Sequence, residues 1–363
     1  MFSLQVFAKD LYEYQRPIWS MGMGGVYTPF PQEVDMPTAN AAYLAQLKSI
    51  GLELFTLGGT GPGLAAIQEF QDLPTITGID GVNSLMGKPI QTGLDGRLSF
   101  IAPYFGLSIY NNFFLRSYFS NPLMPEWNIK YLNDYGLTLA FALSVGNRQS
   151  VGLAVKRITR SGGEATIGFD LIDQYLQTSD TSVILDELQD AGVAHGFDVS
   201  YLLMPEENSS MPIITLVWKD VGYTTFQATS TTGAPPSIQD NLTLGLGYYF
   251  DGPGIDIKAG AEYRHISTKG VQIGRKLHSG LELSLPLVDL RMGLSQGYST
   301  FGIGMNFFGL QFELAQYTEE MGEYPGQTPE SKIQIGLTLD LSVDADFSVS
   351  TKDGKKRKLK QRR

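Results

Sequence analysis

The chain has 363 residues, 42% of them hydrophobic and only 18% charged, with 41 glycines, 11% aromatic residues and no cysteine. Soluble domains carry roughly 25% charge, so few ionic groups are available for a solvated surface, and without cysteine neither disulfides nor thiolate metal sites can form. The net charge of −10 speaks against nucleic acid as a partner of the main body, while the lack of any run near the ~18 apolar residues of a membrane helix leaves a closed barrel as the way to cross a bilayer.

At the N-terminus, Val6-Phe7-Ala8 follows the apolar Met1, Phe2 and Leu4 and has the small-residue pattern that signal peptidase reads. Residues 1–8 are therefore expected to be a signal-peptide remnant, cleaved after Ala8 to leave Lys9 first. Residues 9–50 lack strand alternation. Within them, Ala41, Ala42, Leu44, Ala45 and Leu47 predict a helix over 37–50, with Thr38 as its cap. Because a barrel interior has to be filled or gated, 9–50 is the candidate lumenal plug. A first strand is expected near 51–58. The glycine-rich run Gly58 to Gly63 superficially resembles a phosphate-binding loop, but it lacks the Lys-Ser/Thr of a P-loop and is better read as an outer connection. A second inserted element follows at 64–70, inside the lumen or outside it.

Period-two alternation then recurs to the end of the chain. Leu137 to Val145, Phe197 to Leu203, Leu242 to Tyr248, Ile255 to Ala261, Leu281 to Leu287, Phe301 to Phe307, Leu310 to Leu314 and Ile333 to Leu341 each set apolar residues against a second face. That second face is mostly Gly, Ser, Thr, Ala and Asn with sparse charges. A solvated sandwich face would carry many Lys and Glu, so the expectation is a crowded, weakly charged lumen. Connections alternate in length: 318–330, 265–279, 227–240, 159–194 and 120–133 are long, whereas 308–309, 288, 251–254, 146–149 and 104–105 are short. The link at 205–211 is intermediate and Gly297-Tyr298 breaks the rule. Short turns on one side and long loops on the other are the habit of outer-membrane barrels. The fold class expected is thus all-β, a transmembrane antiparallel barrel of about fourteen strands over 51–343, with short helices in its N-terminal plug and both ends in the periplasm. Residues 171–190 read as a helix in an outer loop.

Residues 344–363 form a basic tail; from Lys352 to Arg363 eight cations, among them Lys355, Lys356, Arg357 and Lys358, face Asp353 alone, a local +7 that leaves −17 for everything before it. It is read as a solvated end or as an electrostatic contact with anionic lipid or another acidic periplasmic surface. His195, His265 and His278 have no metal-ligand spacing and are expected at strand ends or loops, solvated or hydrogen-bonded. No Gly-x-Ser-x-Gly elbow is present, and no catalytic residue, metal or cofactor is expected. Tyr12, Tyr14, Trp19, Tyr27, Phe30, Tyr104, Phe105, Tyr110, Trp127, Tyr248 and Phe250 read as interfacial girdle or packing residues, not a ligand cage.

The run Arg16-Pro17-Ile18-Trp19-Ser20-Met21-Gly22-Met23-Gly24-Gly25-Val26 resembles the N-terminal motif of the long-chain fatty-acid transporter (FadL-type) superfamily of outer-membrane barrels, including its TraF-like and PorV-like relatives. The resemblance implies a lumenal hatch in which Trp19, Met21, Gly22, Met23, Gly24 and Gly25 hold hatch or ligand positions, with Met21 and Met23 as adaptable lining groups. Gly297-Tyr298, Gly302, Gly304, Tyr317, Glu320, Gly322, Gly326 and Gln327 look like the closing hairpins of the TraF-like and PorV-like branch. Gln334, Gly336, Leu339 and Leu341 match the assembly signal of a last strand, which implies insertion by the barrel-assembly machinery. Two departures stand out: Asn40-Ala41-Ala42 replaces the usual Asn-Pro-Ala, and the chain continues past its last strand.

Two functions follow from the resemblance. One is passive uptake of fatty-acid-like or hydrocarbon-like molecules past the plug in a Gram-negative outer membrane. The other is a non-transporting interaction barrel, secretion- or conjugation-associated, docking a periplasmic or secretion partner through loops or tail. A soluble β-sandwich adhesin would leave the loop alternation and assembly signal unexplained.

Overall fold

The computed structural model describes residues 11, 13, 16–63, 82, 85–178, 188–206 and 211–344. The signal-peptide stretch, the element at 64–70, Tyr12, Tyr14 and the basic tail lie outside them. The strands in chain order are β1 (Ser49–Pro62), β2 (Ile90–Ala102), β3 (Phe105–Ser120), β4 (Glu126–Ser144), β5 (Gln149–Ser161), β6 (Glu164–Ile167), β7 (Ala191–Leu203), β8 (Ile213–Lys219) and β9 (Gln227–Ala228). There follow β10 (Asn241–Gly252), β11 (Ile255–Tyr263), β12 (Leu277–Ser284), β13 (Val288–Ser295), β14 (Tyr298–Phe307), β15 (Leu310–Glu320) and β16 (Pro329–Asp344).

Fourteen of these form a closed antiparallel barrel; β6 lies on β4 and β9 on β7 as short additions. Closure joins first strand to last, with Ser49↔Asp344 and Leu57↔Leu337 in register and a bulge at Glu53 to Phe55. Every wall strand therefore has two neighbours, so the edge that a sheet of this composition would expose is gone. Alternation sets the faces. Leu57, Leu94, Leu143 and Phe301 point outward and are exposed, while their neighbours Thr56, Gly58, Ala142, Thr300 and Gly302 point inward.

Six short connections, the longest being 204–212, lie at the end of the barrel where β1 begins and β16 finishes; the long connections, including 63–89, 162–190 and 220–240, lie at the other. The expected long link at 120–133 is corrected to 121–125, because β4 starts at Glu126. Glu126, Asn128 and Lys130 interrupt the apolar pattern yet remain paired to β3, from Ser120↔Glu126 onward. Hydrocarbon contact controls the pattern, whereas backbone pairing carries the strand beyond it. The 159–194 link likewise shrinks to 162–190 and carries β6 and a helix, Phe169–Thr178, at the start of the expected helical stretch. Ile172 of that helix is buried with Phe119, Ile129, Ile167 and Leu85, while Phe119 stacks on Trp127 at 5.3 Å.

One continuous helix over 37–50 is not formed. A turn of helix, Met36–Ala39, ends at Asn40, whose φ of −157° is extended, and a 3₁₀ turn, Ala41–Ala45, follows before β1. Asn40 decides this: its Oδ1 accepts from the Ala42 amide at 3.2 Å and its Nδ2 donates to the Thr28 carbonyl at 3.0 Å. Asn side chains compete with helical bonding in this manner. Thr38, the expected cap, lies inside the first turn.

Candidate functional site

Glu13 and the segment 16–47 occupy the bore. Glu13 sits at the long-connection end beside Asn241, Arg264 and His265, and Ala41 and Ala42 reach Ser150, Gly152 and Ser200 at the short-turn end. Between these points the glycine-rich run crosses the inner wall of β12 to β14. The Gly24 amide donates to Thr300 Oγ1 at 2.9 Å, its carbonyl accepts from His278 Nδ1 at 2.9 Å, and Thr300 donates on to the Gly22 carbonyl at 3.0 Å. Gly24 has φ +67°, and a Cβ there would stand 2.2 Å from the Ser279 carbonyl oxygen. Only glycine satisfies both the left-handed backbone and that approach.

The six predicted hatch residues are thus brought together against the wall. Met23 is 0% and Met21 1% exposed, Met21 packing with Ala315 and Tyr317. Trp19 is buried as well, its indole donating to Asp35 at 2.8 Å. Gly22 lies against Gly302 and Gly25 has φ +84°. On β16, Gln334 is buried and Gly336 packs against Ile18, both facing inward, whereas Leu341 faces out.

The expectation of a weakly charged lumen is also overturned. Arg97 bridges Glu53 at 2.9 Å and Asp35 at 2.6 Å; Arg160 meets Asp134 at 2.6 Å; Lys156 meets Asp198 and Asp220, each at 2.7 Å. Arg264 pairs with Glu262 at 2.5 Å, Arg291 with Glu282 at 2.5 Å and with Glu313, and Lys332 with Glu319 and Glu330. Each strand contributes only one or two such groups, so they look sparse in sequence; barrel closure gathers them on one axis, where burial is tolerated because they are paired. Beside Trp19 they leave a cavity of about 60 Å³ lined by Arg16, Asp35, Asp95, Arg97 and Glu313.

The connection 220–240 folds over the inner faces of β5 and β7 at the long-connection end. Phe226 packs on Ile158 and Ala194 under the Arg160 guanidinium, 4.7 Å from the ring centroid, and Arg160 donates to the Pro236 carbonyl at 2.6 Å. At the same end Glu320 is the hub of the closing-hairpin motif. Its carboxylate accepts from the amides of Gly322 at 2.6 Å, Gly326 at 2.7 Å and Thr328 at 2.8 Å and from the Tyr298 hydroxyl, while Gln327 Oε1 accepts from the Tyr324 amide at 3.0 Å. These spacings fold the 321–328 loop around one carboxylate.

His265 and His278 lie where expected, at a connection and a strand end, but His195 stands mid-strand in β7 and points outward. Its neighbours alternate regularly, so the error was one of strand length. Burial, reinforced by Arg264 and Lys276, lowers the His265 imidazole to about 4 against the pull of Glu13. Burial alone would raise Glu13, but Arg264, Lys219, His265 and Arg16 outweigh it and hold that carboxyl below its usual range. An unfolded His takes a proton near 6.5. The contribution of His265 is therefore complete above about pH 6.5 and lost as pH falls toward about 4. Limited proteolysis of the N-terminal segment is expected to accelerate over that window, and His265→Gln to flatten the dependence.

No family model and no curated protein matches the chain. Solved structures do. A deletion variant of TodX, described as a monoaromatic hydrocarbon channel, aligns with TM-score 0.51 at 12% identity over 94% of this chain and 100% of that one. CymD, also described as a monoaromatic hydrocarbon channel, aligns with TM-score 0.51 at 12% identity over 90% and 97%. At this identity the likeness establishes the fold, a fourteen-stranded barrel with short helices near its N-terminus.

Proposed function

We propose that the chain is an outer-membrane channel for passive uptake of hydrophobic small molecules, occluded by its N-terminal segment. The observation that carries this reading is the filled bore: the segment 16–47 runs inside the barrel and is seated by main-chain contacts at Gly22 and Gly24. The same architecture extends over 94% of the chain in a barrel described as a monoaromatic hydrocarbon channel, which supports a solute of that class. The partly buried rings of Trp127 and Tyr175, packed over the buried Phe119, Ile129 and Ile172, offer apolar surface at the long-connection end, where such a solute would partition first.

Size and polarity dictate the next step. An apolar cavity of about 150 Å³ holds benzene, whereas the cavity beside Trp19 is about 60 Å³ and charged. Passage therefore requires the segment to move. The same small cavity favours the second reading, a non-transporting interaction barrel. Vesicles loaded with purified protein and offered labelled toluene separate the two: faster equilibration than in protein-free vesicles is expected, and an unchanged rate excludes the channel. Trp127→Ala is expected to slow entry without altering the barrel's heat-modifiable migration in gels.

A further inference from the structure

The lumen pairs its charges, but one Arg–His couple faces the other way. Arg157 on β5 and His195 on β7 are direct cross-strand partners, both exposed, while the alternating neighbours Ile158 and Ala194 are buried inside. Among the described residues no ion pair or hydrogen bond engages either side chain. Level with Arg157 on the other side is Leu137; below on the same outward face are Leu139, Val155 and Phe197, and above are Tyr135 and Thr159. No Asp, Glu or Lys occupies an outward position of β4, β5 or β7.

Height fixes what meets this couple. β5 starts at Gln149 at the short-turn end, and the climb from there to Arg157 is about 20 Å for a strand tilted near 40°. The apolar band of such barrels is about 25 Å tall. Arg157 and His195 thus stand in the upper part of that band on the long-connection side, over Leu139, Val155 and Phe197, and a long cationic side chain there reaches up to the headgroups.

We propose that Arg157 and His195 bind the headgroup phosphate of an anionic lipid in that leaflet. A guanidinium presents a planar fork that matches phosphate oxygens bidentately, the imidazole adds an N–H donor in either charge state, and the acyl chains lie on the apolar residues below. The inference rests on the membrane placement of the barrel and is independent of transport.

The test is native mass spectrometry of the detergent-solubilised full chain after incubation with equal amounts of phosphatidylglycerol and phosphatidylcholine. Wild type is expected to retain phosphatidylglycerol preferentially, Arg157→Gln to lose about five-fold of that preference, the Arg157→Gln/His195→Gln pair to abolish it, and Arg157→Lys to fall between. Arg148→Gln, which removes a cation near the short-turn end that is already paired with Glu206, should keep it. Equal retention of both lipids by wild type, or full preference in the double variant, overturns the proposal. So does displacement of the lipid by excess inorganic phosphate, which would make this a free-anion site. A wild-type chain that stays monodisperse without detergent instead overturns the membrane placement itself.

Discussion

Oxidised Thr28→Cys/Thr215→Cys protein is expected to lose solute uptake to the level of protein-free vesicles and to regain it on reduction. Thr28 belongs to the lumenal segment and Thr215 to β8, and their hydroxyl oxygens are 3.1 Å apart. A disulfide needs sulfur atoms about 2.0 Å apart, a small adjustment from that separation. The chain has no native cysteine to compete. A bond there staples the segment to the wall at its midpoint, and the cavity of about 60 Å³ then cannot enlarge. Each single-cysteine variant should transport normally under both redox conditions. Equal uptake by oxidised and reduced double variants would mean that the segment stays in place during passage, and the route would have to be sought elsewhere.

The converse change should unseat the plug. Gly280→Val places a β-branched side chain whose Cβ would stand 2.2 Å from the Met23 carbonyl oxygen. Overpacking of this kind costs about 1–3 kcal/mol, and valine is favoured in strands, so the wall tolerates the residue and the segment at Met23 is displaced. Raised conductance in planar bilayers and faster proteolysis of the N-terminal segment are expected, with heat-modifiable migration unchanged. Gly61→Ala, whose Cβ meets nothing within 4 Å, serves as the silent comparison. A Gly280→Val barrel as tightly closed as wild type would show that the segment's seat does not depend on the β12 backbone.

Alternation and connection lengths were written into the chain residue by residue, since each strand has to show hydrocarbon one face wherever its neighbours lie. The barrel, its strand count and the common side on which its first strand begins and its last strand ends could therefore be read from the sequence. The 37–50 helix could not: the decisive group is Asn40, whose amide finds the Thr28 carbonyl only after the segment has folded back inside the wall. Nor could the lumen's electrostatics. Asp134 and Arg160, or Glu53, Arg97 and Asp35, are isolated charges along the chain and become partners only through pairing and closure. What sequence alone determined is the boundary with the membrane, a property of single residues; what tertiary structure decided is how the bore is filled, because each buried charge depends on partners from other strands.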